Sequence, residues 1–231
     1  MPSTLAPLLV LIMDYNFHWR PVWRALPDLL DAALITLEVA LLSMVIGIVI
    51  GMVLAIMRLY GNIAMRGFAS VWIEAARNTP ALLQFFFFGF GLGAFDLHLS
   101  PYMIVLVGLS FNNAGYLAEN FRGGFQAIPV TQFNAARCLG MTSSQAFIRI
   151  VIPQVFKLVY HPMTNQMVWA VLISSLGMLV GFRELAGETQ FMASNTFRLF
   201  EFFLAAAVIY YLIVKIILLV FYLISRRLFN Y

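Results

Sequence analysis

Long uncharged runs dominate the pattern along this chain. They cover Val39 to Met57, Asn78 to Phe95, Leu97 to Ala118 and Leu158 to Phe182. Each is at least about 18 residues long, enough to cross a hydrocarbon core of about 30 Å as a helix. A fifth run, from Phe202 to about Ile224, is interrupted only by Lys215. The pattern predicts an all-α membrane protein with five transmembrane helices in one domain, residues 29–231. An outer-face interfacial segment, residues 1–28, precedes it. From Asp14 to Asp28 that segment mixes Tyr15, Phe17, Trp19 and Trp23 with Arg20 and Arg24, the composition of a short amphipathic helix lying among headgroups. Gly47 and Gly51 form a pair that permits close helix packing.

Between the third and fourth runs, at about residues 121–160, the chain turns polar without becoming irregular. Pro129 and Thr131 mark a helix start, and Gly140 suits the left-handed position that closes it. Thr142 with Gln145 three residues on has the spacing of a capping box opening a second helix, which Pro153 is expected to stop. Helices of roughly nine residues, about 14 Å long, cannot cross a bilayer, so the pair is expected on a membrane face. Taken by spacing alone, it is equally an ordinary amphipathic loop hairpin.

Several polar side chains fall within the spans, where exposure to lipid is costly. Glu74, Arg77, Asn78, Thr79 and Gln84 open the second span around Pro80. Glu74 and Arg77 read either as an ion pair closing a helix interface that Pro80 bends or as part of a translocation path. Asn112, Tyr116, Glu119 and Asn120 share one face of the third span, which must point inward. The fourth span adds Asn165, Gln166, Trp169, Ser174 and Ser175. Besides Glu74 and Arg77, the candidates for a translocation path or gate are Asn78, Thr79, Gln84, Asn112, Tyr116, Glu119, Asn120, Ser174 and Ser175. Lys215 in the fifth either pairs with an intramembrane acid or lifts its ammonium toward an interface.

Composition agrees with the pattern: 62% of the 231 residues are hydrophobic and 10% charged, with a mean hydropathy of +0.90. The net charge of +4 reads as topology. With five spans, one face collects Arg58, Arg66, Arg122, Arg137, Arg149, Lys157, Arg226 and Arg227, and the other only Arg20, Arg24, Arg183 and Arg198. Cations accumulate on the cytoplasmic side, so the N-terminus is expected outside, and the two-helix loop and C-terminus inside. Residues 1–12 are too short to span and lack an Ala-x-Ala cleavage pattern, so no signal peptide is expected, and Met13 is an alternative start to Met1. Cys138, the single cysteine, reads as a small packing residue.

Three segments carry a resemblance. Ala135-Ala136, Gly140, Ile150 and Pro153 resemble the EAA signature of ABC importer permeases: Glu-Ala-Ala, three residues, Gly, nine residues, Ile, any residue, Leu and Pro. Asn134 stands where the family has Glu, and Ile152 where it has Leu. The stretch Glu74, Arg77, Thr79-Pro80 and Gln84 resembles a second family segment without departure. Ser175-Leu176 with Glu184-Leu185 looks like the family's Thr-Ser-Leu and Glu-Leu pair, although Leu172 stands where a Lys is common.

The chain is thus similar to the five-span permeases of type I ABC importers, in the branch that takes up polar amino acids or opines. That resemblance implies a bacterial inner-membrane, multi-pass subunit with a cytoplasmic coupling-helix loop, which itself binds no cofactor. ATP and Mg would be used by a separate ATPase subunit docked on Asn134, Ala135, Ala136, Gly140, Ile150 and Pro153. A periplasmic solute-binding protein would deliver solute to the opposite face, and a second permease subunit would close the path. Because Asn134 and Leu172 remove an acid and a base, a heterodimer with a sister permease that retains them is expected over a homodimer.

No catalytic chemistry is expected. Lys157 and Lys215 do not follow Gly, which excludes a P-loop, and His18, His98 and His161 form no ligand or nucleophile motif. The loop has only Arg137 and Arg149 as cations and is tied to the membrane at both ends, unlike a DNA-reading helix pair. A passive channel or a membrane scaffold subunit would also use an inward polar stripe and a surface hairpin. Dependence of transport on ATP separates these readings.

Overall fold

The computed structural model describes residues 15–229. The apolar residues 1–12, the alternative start at Met13 and the first interfacial residue, Asp14, lie outside the described residues. The described chain is helical, in nine α-helices: α1 Arg20–Tyr60, α2 Ile63–Asn78, α3 Ala81–Phe86, α4 Pro101–Ala127, α5 Val130–Cys138, α6 Ser143–Ala146, α7 Ile152–Ser174, α8 Leu185–Thr196 and α9 Leu199–Phe229. A π-helical turn, Phe87–Gly91, and a 3₁₀ turn, Leu92–Phe95, extend α3, and a 3₁₀ turn, Ser175–Val180, extends α7.

By length and composition, Arg20–Tyr60, Ser143–Val180 and Leu199–Arg227 can cross a membrane, and Ala81–Phe95 is a shorter apolar stretch. Helix α4 is 27 residues long but carries Ser110, Asn112, Asn113, Glu119 and Asn120, most of them turned into the bundle.

Among the described residues, no separate interfacial helix precedes the first span. Helix α1 runs unbroken for 41 residues through Pro27. Val22, Ala25, Leu29, Ala32, Thr36, Val39, Ser43, Gly47, Gly51 and Leu54 are buried along it. This three-to-four spacing is one helix face, so packing carries the helix through the polar Asp28 and Asp31 and past the proline's missing donor.

That face lies against α4 at close range. A Cβ on Gly47 would stand 2.6 Å from the Asn113 Cβ, and one on Gly51 would stand 3.0 Å from the backbone of Ala114 and Ala118. The expected small-residue contact is therefore between α1 and α4. The main core, with Leu117, Phe121, Val155, Met167, Leu185 and Phe202, gathers α1, α4, α7, α8 and α9 around it.

At the opposite end of the bundle from the α5–α6 pair, the Tyr15 hydroxyl and the His18 backbone N–H donate to Glu201, at 2.5 and 2.9 Å. The first described residues are thereby fastened to the start of α9. The carboxylate holds the Tyr15 phenol above its ordinary range.

Candidate functional site

The polar loop forms the helix pair its residues predict, up to its last turn. Helix α5 ends in a Schellman motif: Met141 N–H reaches Ala136 O at 3.2 Å and Gly140 N–H reaches Arg137 O at 3.0 Å. Gly140 has φ +86°, the left-handed conformation that glycine adopts without Cβ strain. The capping box is reciprocal, with Gln145 N–H on Thr142 Oγ1 at 3.2 Å and Thr142 N–H on Gln145 Oε1 at 2.9 Å.

Pro153 does not stop the second helix. Helix α6 continues through a π-helical turn, Phe147–Val151, directly into α7, and Ile152 N–H bonds Phe147 O five residues back. A proline breaks a helix when its ring meets the carbonyl one turn back; the widened turn displaces that carbonyl. The loop and the following span are therefore one rod.

Asn134, Ala135 and Gly140 are exposed on the pair, Ala136 is buried beneath it, and Ile150 and Pro153 follow on the rod. Below lies a cleft of about 640 Å³ lined by Tyr60, Phe125, Phe133, Phe147 and Val151. Phe147 stacks on Phe125 at 5.5 Å and meets Tyr60 edge-on at 6.2 Å, which fixes the pair to the ends of α1 and α4.

The second cluster surrounds Pro80. Thr79 and Pro80 are extended, so the proline breaks the segment into α2 and α3 where a bend was expected. Pro80 has no N–H to offer the Ala76 carbonyl one turn back. Gln84 Nε2 donates to that oxygen at 2.9 Å and to Thr79 O at 3.1 Å, and Asn112 Nδ2 donates to Ala76 O and to Gln84 Oε1, both at 3.1 Å. Gln84 and Asn112 are buried. Their observed work is to satisfy backbone that the break exposes.

The Glu74–Arg77 ion pair, one of the two readings of this segment, does not form. Glu74 is exposed and has no ion pair among the described residues, because Arg77 turns to α4. There its Nη1 is 3.8 Å from Glu119 Oε2 and its guanidinium lies over Tyr116, 5.5 Å from the ring centre. Glu119 also binds Arg58 at 2.5 Å and Arg122 at 2.7 Å. Within the stripe Asn112, Tyr116, Glu119 and Asn120, the structure thus ties Asn112 to the Pro80 break and Glu119 to an arginine cluster. Asn78 is exposed and Asn120 half-buried. The Ser174 and Ser175 hydroxyls donate to their own helix, at Val171 O and Leu172 O. Lys215 is exposed beside the Tyr211 ring, 5.3 Å from its centre.

Two polar groupings were not read from the sequence. Asn113 bonds Ser43 at 3.2 Å and accepts from Gln166 at 2.9 Å, linking α1, α4 and α7. The doublet Asn112-Asn113 signals it, because adjacent helical residues point about 100° apart. Glu184, noted only as half of a Glu-Leu pair, is fully buried. It caps α8 through Ala186 and Gly187 N–H at 2.8 and 3.1 Å and accepts from the Thr36 and Tyr210 hydroxyls at 2.9 and 2.6 Å. No cluster of His, Cys, Asp or Glu among the described residues could hold a metal ion.

Residues 47–230 match the family described as binding-protein-dependent transport system inner membrane component. The arginine transport system permease protein ArgU of Corynebacterium glutamicum is 33% identical over 180 residues, 72% of this chain and 57% of that protein. The glutamine transport system permease protein GlnP of Escherichia coli is 28% identical over 192 residues, 82% of this chain and 88% of GlnP. The nopaline transport system permease protein NocM of Agrobacterium fabrum is 30% identical over 193 residues, 79% of this chain and 80% of NocM. Among solved structures, the chain is similar to an amino acid ABC transporter crystallised with histidines, at a TM-score of 0.84 and 28% identity, over 92% of this chain and all of that one. The fold also matches the inward-facing MetNI methionine ABC transporter, at a TM-score of 0.70 and 18% identity, over 92% of this chain and 99% of that one.

Proposed function

The chain belongs to the family of inner membrane components of binding-protein-dependent transport systems, and from that premise we propose that it is the permease subunit of an ATP-driven importer for polar amino acids or related compounds. The observation that carries this reading is the α5–α6 pair, capped at both ends of its turn and continuous with α7. A surface element rigidly joined to a span converts a push at the membrane face into movement of that span.

In this reading a separate ATPase subunit, which uses ATP and Mg, docks on the exposed residues around Asn134, Ala135 and Gly140. The chain in this reading crosses the membrane five times, with the α5–α6 pair and the C-terminus in the cytoplasm and the chain start outside, as the excess of cations on that face supports. Residues up to about 28 lie at the outer boundary, and residues 29–231 form the permease domain. A periplasmic binding protein delivers the solute. The path or gate draws on Glu74, Asn78, Tyr116, Asn120, Ser174 and Ser175, with Arg77 and Glu119 at its inner end. The missing acid at Asn134 and base at Leu172 favour a sister permease as the second half.

Proteoliposomes holding the complex copurified from native membranes, loaded with ATP and given labelled arginine, glutamine or histidine with the binding protein, test the reading. Uptake that needs ATP and one of these solutes is expected; ATP-independent flux would replace the importer with a channel. Native mass spectrometry of the same complex counts permease copies, and two copies of this chain with full uptake would replace the heterodimer with a homodimer.

A further inference from the structure

Glu119 is outnumbered. Guanidinium groups of Arg58, Arg77 and Arg122, from three different helices, converge on its two oxygens. Three positive charges are balanced there by one negative charge. Arg122 engages all three of its nitrogens, with Nε and Nη2 on Glu119 and Nη1 on Gln126 at 2.9 Å. Arg58 commits only Nη1. Arg77 stands 3.8 Å from Glu119, beyond hydrogen-bond distance. An arginine carries five N–H donors in a planar fork, so nearly all the donors of Arg58 and Arg77 lack a partner among the described residues. Their side chains are 30% and 41% exposed, which leaves both forks accessible. Glu74, one turn before Arg77, does not neutralise it.

Two guanidinium forks held beside one carboxylate repel each other unless a further anion shares them. The ligand that matches such forks is a tetrahedral or planar oxyanion bound bidentately. Arg58 lies in the last turn of α1 and Arg77 in the last turn of α2. Where a membrane protein collects cations near a membrane boundary, lipid phosphate is the abundant oxyanion. The geometry points to a phosphate-binding site made by Arg58 and Arg77 on the open side of Glu119, filled by an anionic phospholipid headgroup or by free phosphate. It depends on the chain lying in a membrane and not on which solute it carries, so it is tested by binding alone.

The full chain, purified in detergent, is incubated with phosphatidylglycerol or phosphatidylcholine and weighed by native mass spectrometry. In parallel, its melting is followed with sodium phosphate against sodium chloride at equal ionic strength. If a headgroup fills the site, phosphatidylglycerol is retained preferentially, and Arg58→Gln with Arg77→Gln reduces that retention about ten-fold, as expected for loss of charge-assisted hydrogen bonds. If free phosphate fills it, phosphate raises the melting temperature of the wild type but not of the double variant. Glu119→Gln removes the competing carboxylate and should increase whichever binding is seen, a gain that misfolding cannot mimic. Arg226→Gln with Arg227→Gln, on the last turns of α9, should change neither. Equal lipid retention and equal phosphate response in the wild type and the Arg58/Arg77 variant would overturn the site, as would an equal loss in the Arg226/Arg227 variant.

Discussion

Replacing Gln84 by Leu keeps the volume of a buried side chain and removes its polar head, which isolates what that head does. The amide donates to Ala76 O, Thr79 O and Thr79 Oγ1 and accepts from Asn112, all between 2.9 and 3.1 Å. Interhelical hydrogen bonds inside membrane proteins average about 0.6 kcal/mol, so losing all four gives about 2–3 kcal/mol. Asn112→Leu loses only two bonds, because Gln84 still reaches Ala76 O, and is expected near 1 kcal/mol. The order Gln84 over Asn112 is therefore the prediction, more than either number. Thermal or denaturant unfolding of both variants in one detergent measures it, with uptake recorded per folded molecule. A clasp predicts lost stability with near-normal uptake per molecule. If Gln84→Leu melts like the wild type yet abolishes uptake, the residue lines the solute path and the backbone argument fails.

Gly140→Val forces a β-branched residue to φ +86° where nothing crowds the added Cβ, so the cost is backbone strain alone, about 1–2 kcal/mol. Retention of the ATPase subunit on copurification should fall while membrane insertion persists, and Gly140→Asn should largely restore it; normal copurification and uptake in the Val variant would end the coupling assignment. Glu184→Ala leaves two N–H groups and two hydroxyls facing a void and should cost about 3 kcal/mol or more, whereas Glu184→Gln should cost less than half of that because the Thr36 and Tyr210 hydroxyls can reverse to accept. A Glu184→Ala variant that melts like the wild type would show that these hydrogen bonds are not what holds α1, α8 and α9 together.

Features encoded within four residues were legible in advance. The Thr142–Gln145 box and the Gly140 turn need only their own neighbours, and both stand as read. Readings that depended on a partner elsewhere in the chain fared worse. Arg77 is three residues from Glu74 on one helix, yet the oxygens of Glu119 on another capture it. Arg58 was counted only as a topological cation, because nothing near it in sequence marks Glu119 as its partner. Nothing near Asn112 or Gln84 in sequence showed that both would also donate to the carbonyl that Pro80 leaves bare. The extent of α1 was hidden for the same reason: its first turns look interfacial by composition, and the packing that continues the helix comes from residues far along the chain. Pro153 misled in the opposite direction, since a stop signal read locally is cancelled by one widened turn.

That turn also sets a register. An α-helix advances about 100° per residue, and the π-helical stretch Phe147–Val151 holds one residue more than an ordinary turn requires. It acts as a phase shift between two surfaces on one rod: Ser143, Ser144 and Phe147 facing the aromatic cleft, and Val155, Val159, Met163 and Met167 buried toward the core. Deleting any residue between 147 and 151 would straighten the ladder and rotate one surface about 100° out of step with the other. Either the coupling pair or the span could then sit correctly, but not both, so this segment tolerates exchange of side chains far better than a change in length.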